Sequence, residues 1–245
     1  MKDRQKENNT LRFNVSEGYI YPSLVNLTTG AFAGSSYVNP DSNLKPETSL
    51  TYELGYRLKA DDFSLDLTTF ATNAENYIDH VSCSTADGCS GRRDRTYKNI
   101  GKADTHGLEI AANYQNWPWE VASQITLLRR KKNYEGVDTW DAGIPEIAGE
   151  LGVKFNSSLY ENSMALGLTG RFEGNTQELI STRRGFSLEE NSGYGVLDSN
   201  ITYLWDKQIA FHLTAGNLTN KRYHSATENL DAAGRHFRLK ANFSF

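Results

Sequence analysis

The sequence lacks any apolar run of the roughly 18 or more residues that a membrane-spanning helix needs. A spanning helix is excluded. A spanning β-barrel is not, because each barrel strand crosses with about 9–11 residues and every second one faces a polar lumen. A mean hydropathy of −0.59 therefore does not decide between water and membrane. Cysteine is scarce: Cys83 and Cys89 are the only two, in a polar Gly/Ser stretch with His80 as the only histidine close by. That favours a loop disulfide over a metal site, and so an oxidising compartment. Neither sign of charge dominates, and a net charge of −4 argues against nucleic acid as a partner. The first ten residues, MKDRQKENNT, have no apolar core and do not form a signal peptide. Met1 is therefore read as an internal or artificial start. No GxSxG, HExxH, CxxC or phosphate-loop pattern occurs, so no catalytic residue and no cofactor is expected.

What is present is alternation. Ten segments place apolar residues at every second position, with polar ones between: 11–15, 50–58, 63–68, 108–114, 119–127, 147–155, 164–168, 197–203, 209–213 and 237–245. The last reads Phe237, Leu239, Ala241, Phe243, Phe245 against Arg238, Lys240, Asn242, Ser244. In water this is half of a sandwich. In a membrane barrel the apolar face meets lipid and the polar face lines the lumen.

The connections separate the two readings. Short turns at Ala60-Asp61-Asp62, Asn116-Trp117-Pro118, Tyr160-Glu161-Asn162 and Trp205-Asp206-Lys207 alternate with long loops. The long loops cover roughly 19–48, 80–102, 131–145, 173–193 and 217–234. A sandwich has no reason to gather all its long loops at one end, whereas an outer-membrane barrel has short periplasmic turns and long extracellular loops. Trp117, Trp119, Tyr160, Tyr203 and Trp205 sit at the short-turn end, as an interfacial aromatic girdle would.

Four stretches carry a family resemblance. They are Gly18-Tyr19-Ile20-Tyr21-Pro22-Ser23-Leu24; Asn39-Pro40 through Leu44-Lys45-Pro46-Glu47 with Tyr52-Glu53-Leu54-Gly55-Tyr56; Asn99-Ile100-Gly101-Lys102-Ala103 with Gly107-Leu108-Glu109; and Asn217-Leu218-Thr219-Asn220-Lys221-Arg222-Tyr223 with Gly234-Arg235. In this order and spacing the chain resembles the C-terminal part of a TonB-dependent outer-membrane receptor. The resemblance implies an all-β fold: an antiparallel transmembrane β-barrel, of which this chain holds about the last 10 of about 22 strands, with the plug domain absent. Residues 1–245 would all belong to the barrel domain. The terminal alternating strand resembles the signal by which such barrels are handed to their assembly machinery. The implied localisation is the bacterial outer membrane.

The implied function is import of an iron chelate, with the TonB complex engaged through the missing N-terminal part. The alternatives are a haem receptor of the same family, a passive porin or adhesin-type barrel, and a rim hydrolase built on Asp79, His80 and Ser82. Residues 19–48 hold no His, which favours a ferric siderophore over haem, while His80 and His106 keep haem open. Candidate ligand-binding residues are the loop tyrosines Tyr19, Tyr21, Tyr37 and Tyr97 and the basic clusters Arg92, Arg93, Arg95 and Arg183, Arg184. A further cluster, Arg129-Arg130-Lys131-Lys132, leads into the third of the long loops. Basic outer loops would either capture an anionic chelate or hold lipopolysaccharide phosphates, alongside the outer-membrane lipid that the apolar face meets. On the lumen side, Glu53 and Glu109, with Arg12, Arg57, Arg171 and Arg238 available on lumen faces, are expected to join an ion-pair network that normally bridges to the plug, the alternative being solvated lumen charges.

Overall fold

Each alternating segment becomes a strand in the computed structural model, which describes residues 8–33, 36–83, 89, 95–134, 137–140, 142–182, 185–205, 208–224 and 231–244. In chain order the strands are β1 (Asn8–Ile20), β2 (Ala31–Ala33), β3 (Ser36–Asn39), β4 (Glu47–Lys59), β5 (Phe63–Glu75), β6 (Ile78–Ser82), β7 (Arg95–Asn99), β8 (Lys102–Asn116) and β9 (Trp119–Tyr134). They continue with β10 (Val137–Thr139), β11 (Ile147–Leu159), β12 (Asn162–Glu173), β13 (Thr176–Thr182), β14 (Gly185–Asn191), β15 (Tyr194–Trp205), β16 (Ile209–Gly216) and β17 (His236–Phe243). The ten long ones pair sequentially and antiparallel in the order β1-β4-β5-β8-β9-β11-β12-β15-β16-β17. This is the wall. Phe245, on which the last alternating segment closes, lies outside the described residues.

The register keeps the two faces chemically distinct across the wall. One row runs Arg12, Gly55, Thr68, Glu109, Thr126, Ala148. The next row, on the opposite face, runs Leu11, Tyr56, Leu67, Ile110, Ile125. A slip of one residue in any pair would send a charge to the apolar face, so the alternation itself pins the register. Among the described residues no second layer covers that face: Leu54, Leu151 and Leu168 are 47%, 51% and 44% exposed. Each leucine left in water forgoes about 1.5–3 kcal/mol. A sheet with a whole face of them is stable only against lipid, and its hydrophilic average is then no paradox. Trp117, Trp119, Tyr160, Tyr203 and Trp205 are all exposed at the short-turn end, forming the aromatic belt.

The polar face pairs differently from expectation. Arg12 and Arg57 both converge on Asp66, at 2.6 and 2.5 Å, and Arg171 meets Asp198 at 2.8 Å. Glu53 accepts a hydrogen bond from Asn14 at 3.1 Å rather than from an arginine. Glu109 has no ion-pair partner among the described residues. The reason is register. Arg57 lies directly opposite Asp66, and Asp66 opposite Ala111, so the nearest acid is on the adjacent strand and Glu109 lies out of reach.

The long loops are not structureless. β2, β3, β7 and β6 form a separate four-stranded sheet, with β3 and β7 parallel, and β13–β14 is a hairpin. Strands β8 and β9 also run several residues past the apolar band, where alternation fades because both faces meet polar surroundings. Most of the buried residues are in this outer region: Val38, Leu44, Val81, Cys89 and Thr96 under the small sheet, and Asn217 under the last loop.

Three of the family-like stretches act as staples there. The Asn99 side chain accepts from Lys45 N at 2.8 Å and donates to Lys45 O at 2.8 Å and Asn76 O at 2.7 Å, binding the first long loop to the second. Glu47 accepts Ile78 N at 2.9 Å. Asn217, at φ 49° and 2% exposed, gives its backbone N–H to Asp198 and its amide to the carbonyls of Lys221 and Ala233, and accepts Lys221 N. A short amide side chain tolerates the left-handed conformation that this turn requires.

Candidate ligand-binding mouth

The outer ends of β8 and β9 decide where the basic cluster 129–132 points. Because strand side chains alternate, four consecutive cations cannot act together. Arg129 and Lys131 lie on the face of Leu127 and Ile125. Arg130 and Lys132 lie on the lumen face, opposite Thr105 and Ala103. The outward pair is neutralised: Arg129 Nε meets Glu146 at 3.0 Å, with its guanidinium 4.8 Å from the Trp140 ring, and Lys131 Nζ meets Asp138 at 2.8 Å. Lys131, then the Asn133 amide, hydrogen-bond the Asp138 carboxylate and hold its pKa below the usual aspartate value. The same contact raises the Lys131 ammonium.

The inward pair lines a cavity of about 460 Å³ whose wall also includes Tyr77, Asp79, Arg95 and Glu178. Lys132 Nζ meets Glu178 of β13 at 3.0 Å. Arg130 Nε donates to Thr105 Oγ1 at 3.0 Å. Arg95 donates to His80 Nε2 at 3.2 Å, and His80 Nδ1 lies 2.7 Å from Asp79 Oδ1. Arginine has no acceptor, so Nε2 must be the unprotonated nitrogen and Nδ1 carries the proton toward Asp79. Neither Arg95 nor Arg130 has a carboxylate partner among the described residues. The mouth therefore presents net positive charge toward the lumen, a form suited to attracting anions.

The other sequence candidates are spread around this mouth. Tyr19 and Tyr21 pack edge to face at 4.6 Å beside the outer end of β1. Tyr37 spends its hydroxyl on the Thr29 carbonyl at 2.5 Å and its ring on Phe32 at 5.1 Å. Tyr97 sits opposite His80 in the β6–β7 pair. Arg95 alone of the basic loop candidates lines the cavity; Arg92, Arg93, Arg183 and Arg184 lie outside the described residues. Cys83 and Cys89 form a disulfide, and Asn39 donates both to Cys89 Sγ and to the Arg95 carbonyl, at 3.1 Å each. The bridge thus stands behind the strand that carries Arg95.

The two histidines named in the sequence lie apart. His106 faces outward toward Trp140 at 6.1 Å, not into the lumen. His80 places Nε2 3.2 Å from the Arg95 guanidinium; the Ser82 side chain lies outside the described residues. Arg130 and Lys132 line the cavity from the cluster named as a whole in the sequence, whereas Glu178, which also lines it, and Thr105, which anchors Arg130, carried no sequence signal. Carrying the period of two through residue 132 would have separated Arg130 from Arg129.

The TonB dependent receptor-like β-barrel family model matches residues 6–220. The chain is 24% identical over 232 residues to the heme/hemopexin utilization protein C of Haemophilus influenzae (strain 86-028NP), covering 88% of this chain and 31% of that protein. It is 29% identical over 206 residues to the hemin receptor of Yersinia enterocolitica, covering 78% and 28%, and 27% identical over 237 residues to the ferrienterobactin receptor of Escherichia coli K12, covering 87% and 30%. The chain thus spans about a third of the length of these relatives. Among solved structures, the copper transporter OprC superposes with a TM-score of 0.74 at 18% identity, over 100% of this chain and 37% of that one. The pyoverdine receptor FpvA of Pseudomonas aeruginosa gives 0.73 at 14% identity, over 100% and 34%. With an uncovered apolar wall, a belt of interfacial aromatics and a family match over most of its length, the chain belongs to the TonB-dependent receptor β-barrel family and to the outer membrane.

Proposed function

We propose that residues 1–245 are the C-terminal part of the barrel of a TonB-energised receptor that imports an iron chelate, with a ferric siderophore as the ligand. The observation that carries this is the mouth cavity, where Arg95 and Arg130 have no carboxylate partner among the described residues. Cations held in place there suit the capture of a scarce anionic chelate. The protein acts as a receptor and transporter rather than an enzyme, and the TonB complex is reached through a plug outside this chain.

Haem is the second reading, favoured by relatives named as hemin and heme/hemopexin proteins. Against it stand His106 on the outer face and His80 bound to Asp79 and Arg95, which leaves neither positioned to ligate haem iron in the cavity. The test is growth and ⁵⁵Fe uptake by an iron-starved host lacking its own receptors, complemented with the full-length receptor. Uptake that requires both the receptor and TonB supports the proposal. TonB-independent leakage of small solutes would replace it with the porin reading.

A further inference from the structure

We infer that the mouth cavity recognises its iron chelate through ionised carboxylate groups on the ligand, gripped by the guanidinium groups of Arg130 and Arg95; this rests on the receptor reading above. The two guanidinia are oriented by neutral acceptors, not by acids. Arg130 uses Nε on the Thr105 hydroxyl, and its two terminal amino groups meet no carboxylate among the described residues. Thr105 is only 7% exposed, so the anchor is fixed in the wall. Arg95 uses one terminal amino group on the imidazole of His80, itself held by Asp79. Each guanidinium is therefore positioned in advance while, among the described residues, no carboxylate pairs its charge.

Such a group matches a planar carboxylate through two parallel hydrogen bonds, and pre-orientation lowers the entropy cost of forming them. The third cation shows the same preference within the protein: Lys132 already holds a carboxylate, that of Glu178, at 3.0 Å on the cavity wall. A tris-hydroxamate chelate, whose oxygens are spent on iron and which carries no free acid, offers these forks nothing. Two sources share the required chemistry: the propionates of haem and the free carboxylates of a hydroxycarboxylate siderophore. His80 is a positioning residue for Arg95 in this scheme.

The experiment uses the full-length receptor in detergent, with binding followed by quenching of intrinsic fluorescence. Four probes are compared: haem, haem dimethyl ester, ferric citrate and a ferric tris-hydroxamate. Haem or ferric citrate should bind tightest. Arg130→Gln and Arg95→Gln should each weaken that probe by about ten-fold or more, with little effect on the tris-hydroxamate. Arg130→Lys should fall between, keeping the charge and losing the fork. His80→Ala should weaken the carboxylate probe with Arg95 present, and add nothing on top of Arg95→Gln. If haem is the source, its dimethyl ester should bind at least ten-fold more weakly. If ferric citrate binds and haem does not, the source is a siderophore. That comparison needs no variant and holds even if a substitution impairs folding. Tightest binding of the tris-hydroxamate, or equal effects of Arg130→Gln on every probe, overturns the inference while leaving the receptor reading intact. Failure of every probe to bind overturns the receptor reading itself.

Discussion

The wall and the outer cap obey opposite rules. The wall leaves its leucines uncovered, with Leu54, Leu151 and Leu168 about half exposed, and its lining is charged. The cap has Val38, Leu44, Val81 and Cys89 buried, a disulfide and amide staples, as a small soluble domain would. The difference comes from solvent. The wall relies on lipid to cover its apolar face, so it needs no internal core. The cap stands in water above the membrane, so it must build a core and satisfy its own backbone.

The comparison breaks first at the lipid face. Leu168→Arg places a charge in the apolar band between Val153 and Ser199, and should cost about 2–4 kcal/mol in urea unfolding of the receptor in liposomes. Thr169→Arg, one position along and facing the lumen, should cost close to nothing. Equal costs would mean that the wall is not lipid-facing. The cap breaks next at Asn217, where Asn217→Ala removes several hydrogen bonds at a buried site. A loss of about 2–3 kcal/mol is expected, read as faster amide exchange in residues 217–224 with the wall unchanged. Replacing Cys83 and Cys89 with Ala opens a short loop and should lower the local stability of β6 and β7 by about 2 kcal/mol, again by amide exchange. No change in the wall is expected there either, because the bridge closes within the cap.

The smallest effect is electrostatic. Asp138 is held below the usual aspartate value, so its contribution is complete above about pH 4 and is lost as pH falls through its lowered value. Lys131 is raised, so its contribution is complete below about pH 10 and lost above that. Exchange protection of β10 should therefore be flat between those limits and fall on either side. Asp138→Asn should abolish the acid limb. Persistence of that limb would assign it to another carboxylate.

Legibility followed the same division. All ten wall strands were visible as alternation, because lipid on one side and lumen on the other impose a period of two on every strand. The short-long rhythm of connections was equally plain. The strands of the cap were not visible: β2 and β3 are three and four residues long, and β3 pairs in parallel with β7, which lies more than fifty residues further on. No local pattern announces such a pairing. The family-like stretches signalled identity correctly, but their residues turned out to staple loops. At the site, Arg95 was picked by composition, whereas Arg130 was hidden in a run of four cations.

By itself, then, the sequence determined that this chain is an antiparallel wall with one greasy face, and which residues share that face, since alternation is a property of neighbours along the chain. Tertiary structure decided which cations matter. Arg129 and Arg130 are indistinguishable as letters. One is matched to Glu146 on the outside and the other, on the lumen face, meets a threonine hydroxyl and no carboxylate among the described residues, because charge pairing depends on what the fold brings opposite.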